Sequence, residues 1–229
     1  WVMQLSYTPL MLKQLAFDNI CHEHICYYSL SSLKYILDKV GFDIVDCTLN
    51  DVNGGSFRIF MMKKEADKSK FRCKQERDVA QFRVNSLLEY EASLNLNDPQ
   101  TYINFYDQIC DLRDDTVNFI NQEIKQGKRI WGYGASTKGN TLLQWYGLNN
   151  KHIEAIAEKS TYKLGLSTAG TNIPIKSEQE MRETDPDYLL ILPWHFIKEF
   201  AEREKKFIEN GGKLIVPCPK FLVYPDEEL

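Results

Sequence analysis

Apolar and polar positions change period several times along the chain, and each change marks a new kind of element. Trp1-Val2-Met3-Gln4-Leu5 is a dense apolar run that reads as the middle of a buried strand, so the chain is expected to be a piece of a longer protein. After a short helix and a loop, Leu30, Leu33, Ile36, Leu37 and Val40 recur at helical spacing. Ser29 or Ser31 can cap that helix, and Gly41 stops it. Phe42 to Cys47 has strand character, Asn50 to Gly55 supplies turn chemistry, and Ser56 to Met62 alternates as a return strand. A β-hairpin is predicted there.

From about residue 66 to 127 the period becomes helical in a polar, charged setting. Val79, Phe82, Val84 and Leu87 mark one helix, and Tyr102, Phe105, Tyr106, Ile109, Leu112, Phe119, Ile120 and Ile124 mark a second. Asn97-Asp98-Pro99 punctuates between them, and the aromatic stripe reads as core. Beyond Gly127 strands and helices alternate. Strands are predicted over 129–133, 153–157, 188–192 and 213–217, and helices over 137–146, 177–183 and 195–210, the last stopped by Gly211-Gly212. That alternation predicts a parallel sheet with crossover helices, hence an α/β fold with a small Rossmann-like domain at its end. Three segments result: 1–65, a helical connector 66–127, and 128–229.

Composition narrows the function classes. With 229 residues, 43% hydrophobic, the chain can bury a real core. A net charge of -4 argues against nucleic acid as a partner, because backbone binding needs clustered Lys and Arg. No stretch of about eighteen apolar residues spans a bilayer and no secretion signal opens the chain, so a cytoplasmic location is expected. Six dispersed cysteines read as free thiols. His22 and His24 lie close together, but a zinc site needs more ligands than they offer, so no metal is expected in this chain.

Two stretches carry candidate chemistry. Gly132-Tyr133-Gly134-Ala135-Ser136-Thr137-Lys138-Gly139-Asn140 lies between an apolar strand and a helix. Glycine permits a sharp turn and close approach, helix N-terminal amides attract phosphate, and Ser136, Thr137 and Lys138 add hydroxyls and a positive charge. The stretch matches neither the dinucleotide fingerprint, whose third glycine would stand at Thr137, nor the Walker pattern. It is either a diphosphate-binding turn or a tight turn for strand–helix packing. Glu158 follows the next strand, where Rossmann units present an acid to ribose hydroxyls, or where a solvated carboxylate would stand. The second stretch is Cys21-His22-Glu23-His24. Two imidazoles around a carboxylate suit proton handling, though in an extended segment Glu23 points away from His22 and His24, and structural histidines are the other reading.

Taken together, Phe17-Asp18-Asn19-Ile20-Cys21-His22-Glu23-His24 with Tyr28-Ser29-Leu30, Asn53 to Arg58, Gly132 to Thr141, Gly170 to Ile175 and Leu192-Pro193-Trp194-His195-Phe196 resemble the sugar-nucleotide C-methyltransferases, which add branched methyls to deoxysugars. The resemblance covers nearly the whole chain. It implies that residues 1–65 end a class I methyltransferase sheet and that 128–229 form a nucleotide-sugar-binding domain. It also implies that S-adenosylmethionine, and zinc if any, are bound mainly by parts upstream, leaving this piece alone inactive. By that resemblance His24 is the general base that removes the proton next to the sugar's keto group, Glu23 orients it, and the enolate attacks the methyl group. Cys21, His22, Gly132, Gly134, Ala135, Ser136, Thr137, Lys138, Asn140 and Glu158 are then expected to hold the nucleotide sugar. Cys21 departs from the family's usual Tyr at that place. A nicotinamide-dependent oxidoreductase and a non-enzymatic nucleotide-sugar-binding module are the competing readings.

Overall fold

The computed structural model of the chain describes residues 1–50 and 55–228. The turn expected over 50–55 falls largely on residues 51–54, outside the described residues. The chain forms two compact units, one of Trp1–Ala16 with His24–Tyr106 and the other of Phe17–Glu23 with Asp107–Leu229.

In the first unit, β1 (Val2–Ser6), β2 (Phe42–Asn50) and β3 (Ser56–Lys63) form an antiparallel sheet in the order β1-β3-β2. β3 shows the predicted alternation: Phe57, Ile59 and Met61 are buried while Arg58 faces out. A short helix, α1 (Thr8–Lys13), follows β1, and α2 (Leu30–Lys39) opens with a capping box between Ser29 and Ser32. Leu30, Leu33 and Leu37 of α2 join Tyr7, Cys47 and the β3 residues in one core. The predicted first connector helix is α3 (Lys74–Ser93), but its buried face is Ala80, Val84, Leu87 and Glu91. Val79 and Phe82 face outward. The face is displaced because Glu91 is itself an anchor. Its carboxylate accepts hydrogen bonds from the Tyr7 hydroxyl (2.8 Å) and from the Leu30 and Ser31 amides (2.5 and 2.8 Å), so a side chain of α3 satisfies the otherwise open N-terminal amides of α2.

A second buried acid ties α3 to β2. The β2–β3 register slips between Ile44 and Asp46, and past the slip Asp46 and Cys47 are both buried. Arg83 grips the Asp46 carboxylate with two nitrogens (2.9 and 2.8 Å), and Arg72 adds a third contact at 2.7 Å.

Apart from Phe17–Glu23, the second unit consists of the chain from Asp107 onward, which begins within α4 (Pro99–Lys125). Of the predicted stripe, Phe105, Ile109, Leu112 and Ile120 are buried, whereas Tyr102 and Tyr106 are exposed. The sheet comprises β4 (Ile130–Tyr133), β5 (Ile156–Glu158), β6 (Ile175–Ser177), β7 (Tyr188–Ile191), β8 (Lys213–Val216) and β9 (Leu222–Tyr224). Their order is β6-β5-β4-β7-β8-β9, all parallel except β9. Helices α5 (Thr137–Tyr146) and α6 (Glu178–Thr184) follow β4 and β6. The helix expected over 195–210 is broken into a 3-10 turn, α7 (Ile197–Arg203) and α8 (Lys205–Glu209). The break sits at Glu204, whose buried carboxylate accepts from the Tyr133 hydroxyl (2.7 Å) and from Arg182 (3.1 Å). Among the described residues no helix is long and apolar enough to cross a membrane.

The strand order reverses at β4: the chain runs outward to β5 and β6 on one side, then resumes with β7 and β8 on the other. In open α/β sheets such a switch point leaves a crevice beyond the carboxyl ends of the strands, where ligands bind. The turn leaving β4 passes that point with almost no room to spare. Gly134 has φ +84°, and a Cβ there would lie 2.6 Å from Pro193 Cγ. At Gly139 a Cβ would meet Leu192 Cβ at 2.9 Å.

Two outcomes follow for stability. Burial alone would raise the Asp46 carboxyl, but Arg83 and Arg72 hold it below its ordinary range. Its contribution is then complete above the unfolded-state value of about 3.9 and drains away as pH falls through the lower folded value. Asp46→Asn is expected to cost roughly 2–3 kcal/mol in urea unfolding at pH 7 and to flatten the loss of stability below about pH 4; an unaltered acid profile would count against the account. Gly134→Ala combines a left-handed backbone with a clash, so a loss of about 2 kcal/mol or more is expected in the same assay.

Candidate functional site

At the carboxyl end of β4, the turn Gly134-Ala135-Ser136 feeds directly into α5. Ser136 is the N-cap: its hydroxyl accepts the Gly139 amide at 3.0 Å. Glu158, at the end of β5, braces the turn from the side. One carboxylate oxygen accepts the Ala135 amide and the other the Ser160 amide, both at 2.8 Å. Lys163 completes the brace by donating to the Ala135 carbonyl at 2.5 Å, with its ammonium 3.7 Å from Glu158. The backbone of Ala135 is thereby held at both its amide and its carbonyl, and the groups of the loop with chemistry to offer are the side chains of Thr137, Lys138 and Asn140. Asn140 presents a buried carboxamide oxygen with no hydrogen-bond partner.

Lys138, on the first turn of α5, is half-buried among other ionisable groups. Burial pushes its ammonium below its ordinary value, while Asp18 and Cys21 pull the other way. Asp18 sits on a 3-10 turn (Phe17–Asn19) and is only 1% exposed. One of its oxygens accepts the Trp194 indole N–H at 3.0 Å, and the other has no hydrogen-bond partner. Burial raises the Asp18 carboxyl, opposed by Lys138 and the Trp194 hydrogen bond. His195, next to Trp194, is pushed down to about 4 by burial and by Lys138, so its imidazole is neutral at ordinary pH. The 3-10 turn is further packed by Phe17 against Tyr146, with ring centroids 5.6 Å apart.

This packing explains why seven residues from early in the chain belong to the second unit. The stretch Phe17–Glu23 brings Cys21, His22 and Glu23 to the N-terminus of α5, where Glu23 accepts a hydrogen bond from the Thr137 hydroxyl at 3.3 Å. Cys21 is half-buried and His22 and Glu23 are exposed. The structure therefore brings Cys21, Glu23, Thr137 and Lys138 together in one place. His24 begins the next segment of the first unit and is half-buried. Glu158 stands on the opposite side of the turn, as a brace. Asp18, Trp194 and His195 stand within the stretches that carry the family resemblance but were not among the expected site residues; the signal available was an acid between Phe17 and Asn19 just ahead of the histidine motif.

A separate cavity of about 990 Å³ in the first unit is lined by Thr8, Tyr35, Glu91, Asn95, Tyr102 and other neutral or acidic groups. No Lys, Arg or His lines it, so it is unsuited to a diphosphate. Among the described residues no group of three His, Cys, Asp or Glu is placed to hold a metal.

Comparison with known proteins agrees with the motif resemblance. The family described as the C-methyltransferase C-terminal domain matches residues 51–219. The C-methyltransferase NovU of Streptomyces niveus is 34% identical over 218 residues, which is 95% of this chain and 50% of that protein. The chain thus spans about half the length of the curated relative it matches. On both grounds, the chain belongs to the C-methyltransferase family and contains its C-terminal domain.

Proposed function

We propose that this chain holds a nucleotide-linked deoxysugar for C-methylation and supplies the residues that move the proton at the reacting carbon. The observation that carries the reading is the convergence at the N-terminus of α5. There a capped helix start, the Thr137 hydroxyl and the Lys138 ammonium lie at the switch point of a parallel sheet, with the Cys21–Glu23 stretch packed alongside. Helix amides and a lysine suit a diphosphate, and a diphosphate placed here brings the attached sugar towards Cys21 and Glu23. Asn140 and His195 add neutral polar groups for the ligand's hydroxyl or amide functions, and Glu158 fixes the turn while keeping the lone pairs that a ribose hydroxyl could use.

Methylation at carbon needs a nucleophilic carbon. A proton next to a ketone is only weakly acidic, so a positioned base and a stabilised oxyanion are both required. In this reading His24 takes that proton and Glu23 orients or polarises the imidazole. Cys21, in place of a phenol, offers the substrate a smaller and less strongly hydrogen-bonding wall. S-adenosylmethionine would supply the methyl group and be held mainly by the part of the protein upstream of this chain. None of the six cysteines is in a disulfide, which suits the reducing cytoplasm.

Calorimetric titration of the chain with thymidine diphosphate, with NAD in parallel, tests the reading. Binding of the diphosphate that weakens at least tenfold in Lys138→Ala is the expected result, since a charge-assisted hydrogen bond contributes about 1.5–3 kcal/mol. NAD binding without diphosphate binding would overturn it in favour of an oxidoreductase.

A further inference from the structure

The cavity of about 990 Å³ in the first unit has the size of a small-molecule pocket, and its walls define the ligand chemistry that suits it. It lies where the ends of helices meet. Thr8 opens α1, Ser29, Ser31 and Ser32 start α2, Glu91 and Ala92 stand near the end of α3, and Tyr102 lies near the start of α4. Helix N-termini attract anions through open amides, but here those amides are taken. The Ser29 hydroxyl accepts the Ser32 amide (3.1 Å), Glu91 accepts those of Leu30 and Ser31, and Asp98 accepts that of Gln100 (2.9 Å). The Thr8 amide donates to the Tyr28 carbonyl at 3.0 Å. Among the described residues no Lys, Arg or His lines the cavity, so an anion finds no counter-charge. An organic cation fares little better. Glu91 is 3% exposed and uses both carboxylate oxygens on Tyr7, Leu30 and Ser31, and Asp98 is exposed, where water weakens any ion pair.

The remaining wall is neutral and amphipathic. Ser29 is hydrogen-bonded through its hydroxyl to those of Ser31 (2.9 Å) and Ser32 (3.2 Å), and a hydroxyl has two acceptor lone pairs besides its proton, so the cluster keeps bonding capacity. Leu88, Ala92 and Leu96 contribute apolar surface, and Tyr27, Tyr35 and Tyr102 contribute aromatic rings. Tyr102 is fixed in place by its hydroxyl, which donates to the Leu96 carbonyl at 2.8 Å. The most enclosed polar group is Thr8, which is 8% exposed and whose hydroxyl has no hydrogen-bond partner. We propose that this cavity binds a neutral carbohydrate. A sugar ring joins hydroxyls that both donate and accept to a face of C–H groups. The hydroxyls match the serine cluster and Thr8, and the C–H face matches the leucines and tyrosine rings. The ligand expected here is therefore a glycoside or free sugar without phosphate, held independently of any diphosphate at α5.

Titration of the whole chain with methyl 6-deoxyglucoside, followed by backbone amide resonances, tests the proposal. Saturable shifts at Ser31, Asn95 and Leu96 are expected, with a dissociation constant of about 1 mM for so small a ligand. Thr8→Val keeps the shape and removes the hydroxyl, and binding should weaken about fivefold, the effect of one neutral hydrogen bond. Tyr35→Ala alters a ring that is 67% exposed, so the fold persists even if the valine variant fails, and a loss of about fivefold or more is expected from the missing apolar contact. Choline, titrated in parallel, should leave the same resonances unmoved. Glucoside shifts confined to the second unit, no saturable shifts at all, choline binding in place of the glucoside, or unchanged affinity in the folded variants would each overturn the proposal. Thymidine diphosphate should leave Ser31, Asn95 and Leu96 unmoved, so a failure of the α5 site and a failure of this one are read separately.

Discussion

A carboxylate buried away from water is costly to keep, and the second unit carries one in Asp18, which is 1% exposed and accepts the Trp194 indole N–H. The two partners lie 176 residues apart in the chain. That hydrogen bond, the ring contact of Phe17 with Tyr146 and the Thr137–Glu23 hydrogen bond hold the early segment Phe17–Glu23 in the second unit. The candidate chemistry depends on it, since Cys21, Glu23, Thr137 and Lys138 meet only because this segment is captured.

The same device recurs elsewhere. Asp46 joins α3 to β2 through two arginines, Glu91 joins α3 to the start of α2, and Glu204 joins the break between α7 and α8 to Tyr133 on β4. In each case an acid nearly closed off from solvent takes hydrogen bonds from groups distant in sequence. Such acids specify which face of a helix turns inward, because only one rotation lets the carboxylate reach its donors. Glu158 performs a lighter version at the site, accepting the amides of Ala135 and Ser160 and so tying together the loops that follow β4 and β5.

What the sequence disclosed and what it hid follow the same division. Periodicity is a local property, so β1, α2, β2, β3 and the long helices were legible, as was the strand–turn–helix around Gly134 and Ser136. Three-residue strands carry too little pattern, and β6 and β9 passed unnoticed; they enlarge the expected sheet to six strands. β5 begins at Ile156 rather than at Ile153, because only its last residues find ladder partners on both sides. The face of α3 was misjudged since Phe82 outranks Glu91 in hydrophobicity, and nothing local reveals that Glu91 has Tyr7 and two amides to satisfy. The helix over 195–210 looked continuous for the same reason at Glu204. At the site, Ser136, Thr137 and Lys138 could be read from their place after a glycine turn. Asp18 could not be weighted, because its hydrogen-bond partner Trp194 lies 176 residues away.

In the proposed function the phosphates of a nucleotide sugar rest at the N-terminus of α5. A crystal structure of the chain soaked with thymidine diphosphate tests it most directly. The account predicts phosphate density within hydrogen-bond reach of the Thr137 hydroxyl and the Lys138 ammonium, with Glu23 displaced from Thr137. Density for the ligand in the cavity of the first unit that lacks Lys, Arg and His, with α5 left untouched, would contradict it.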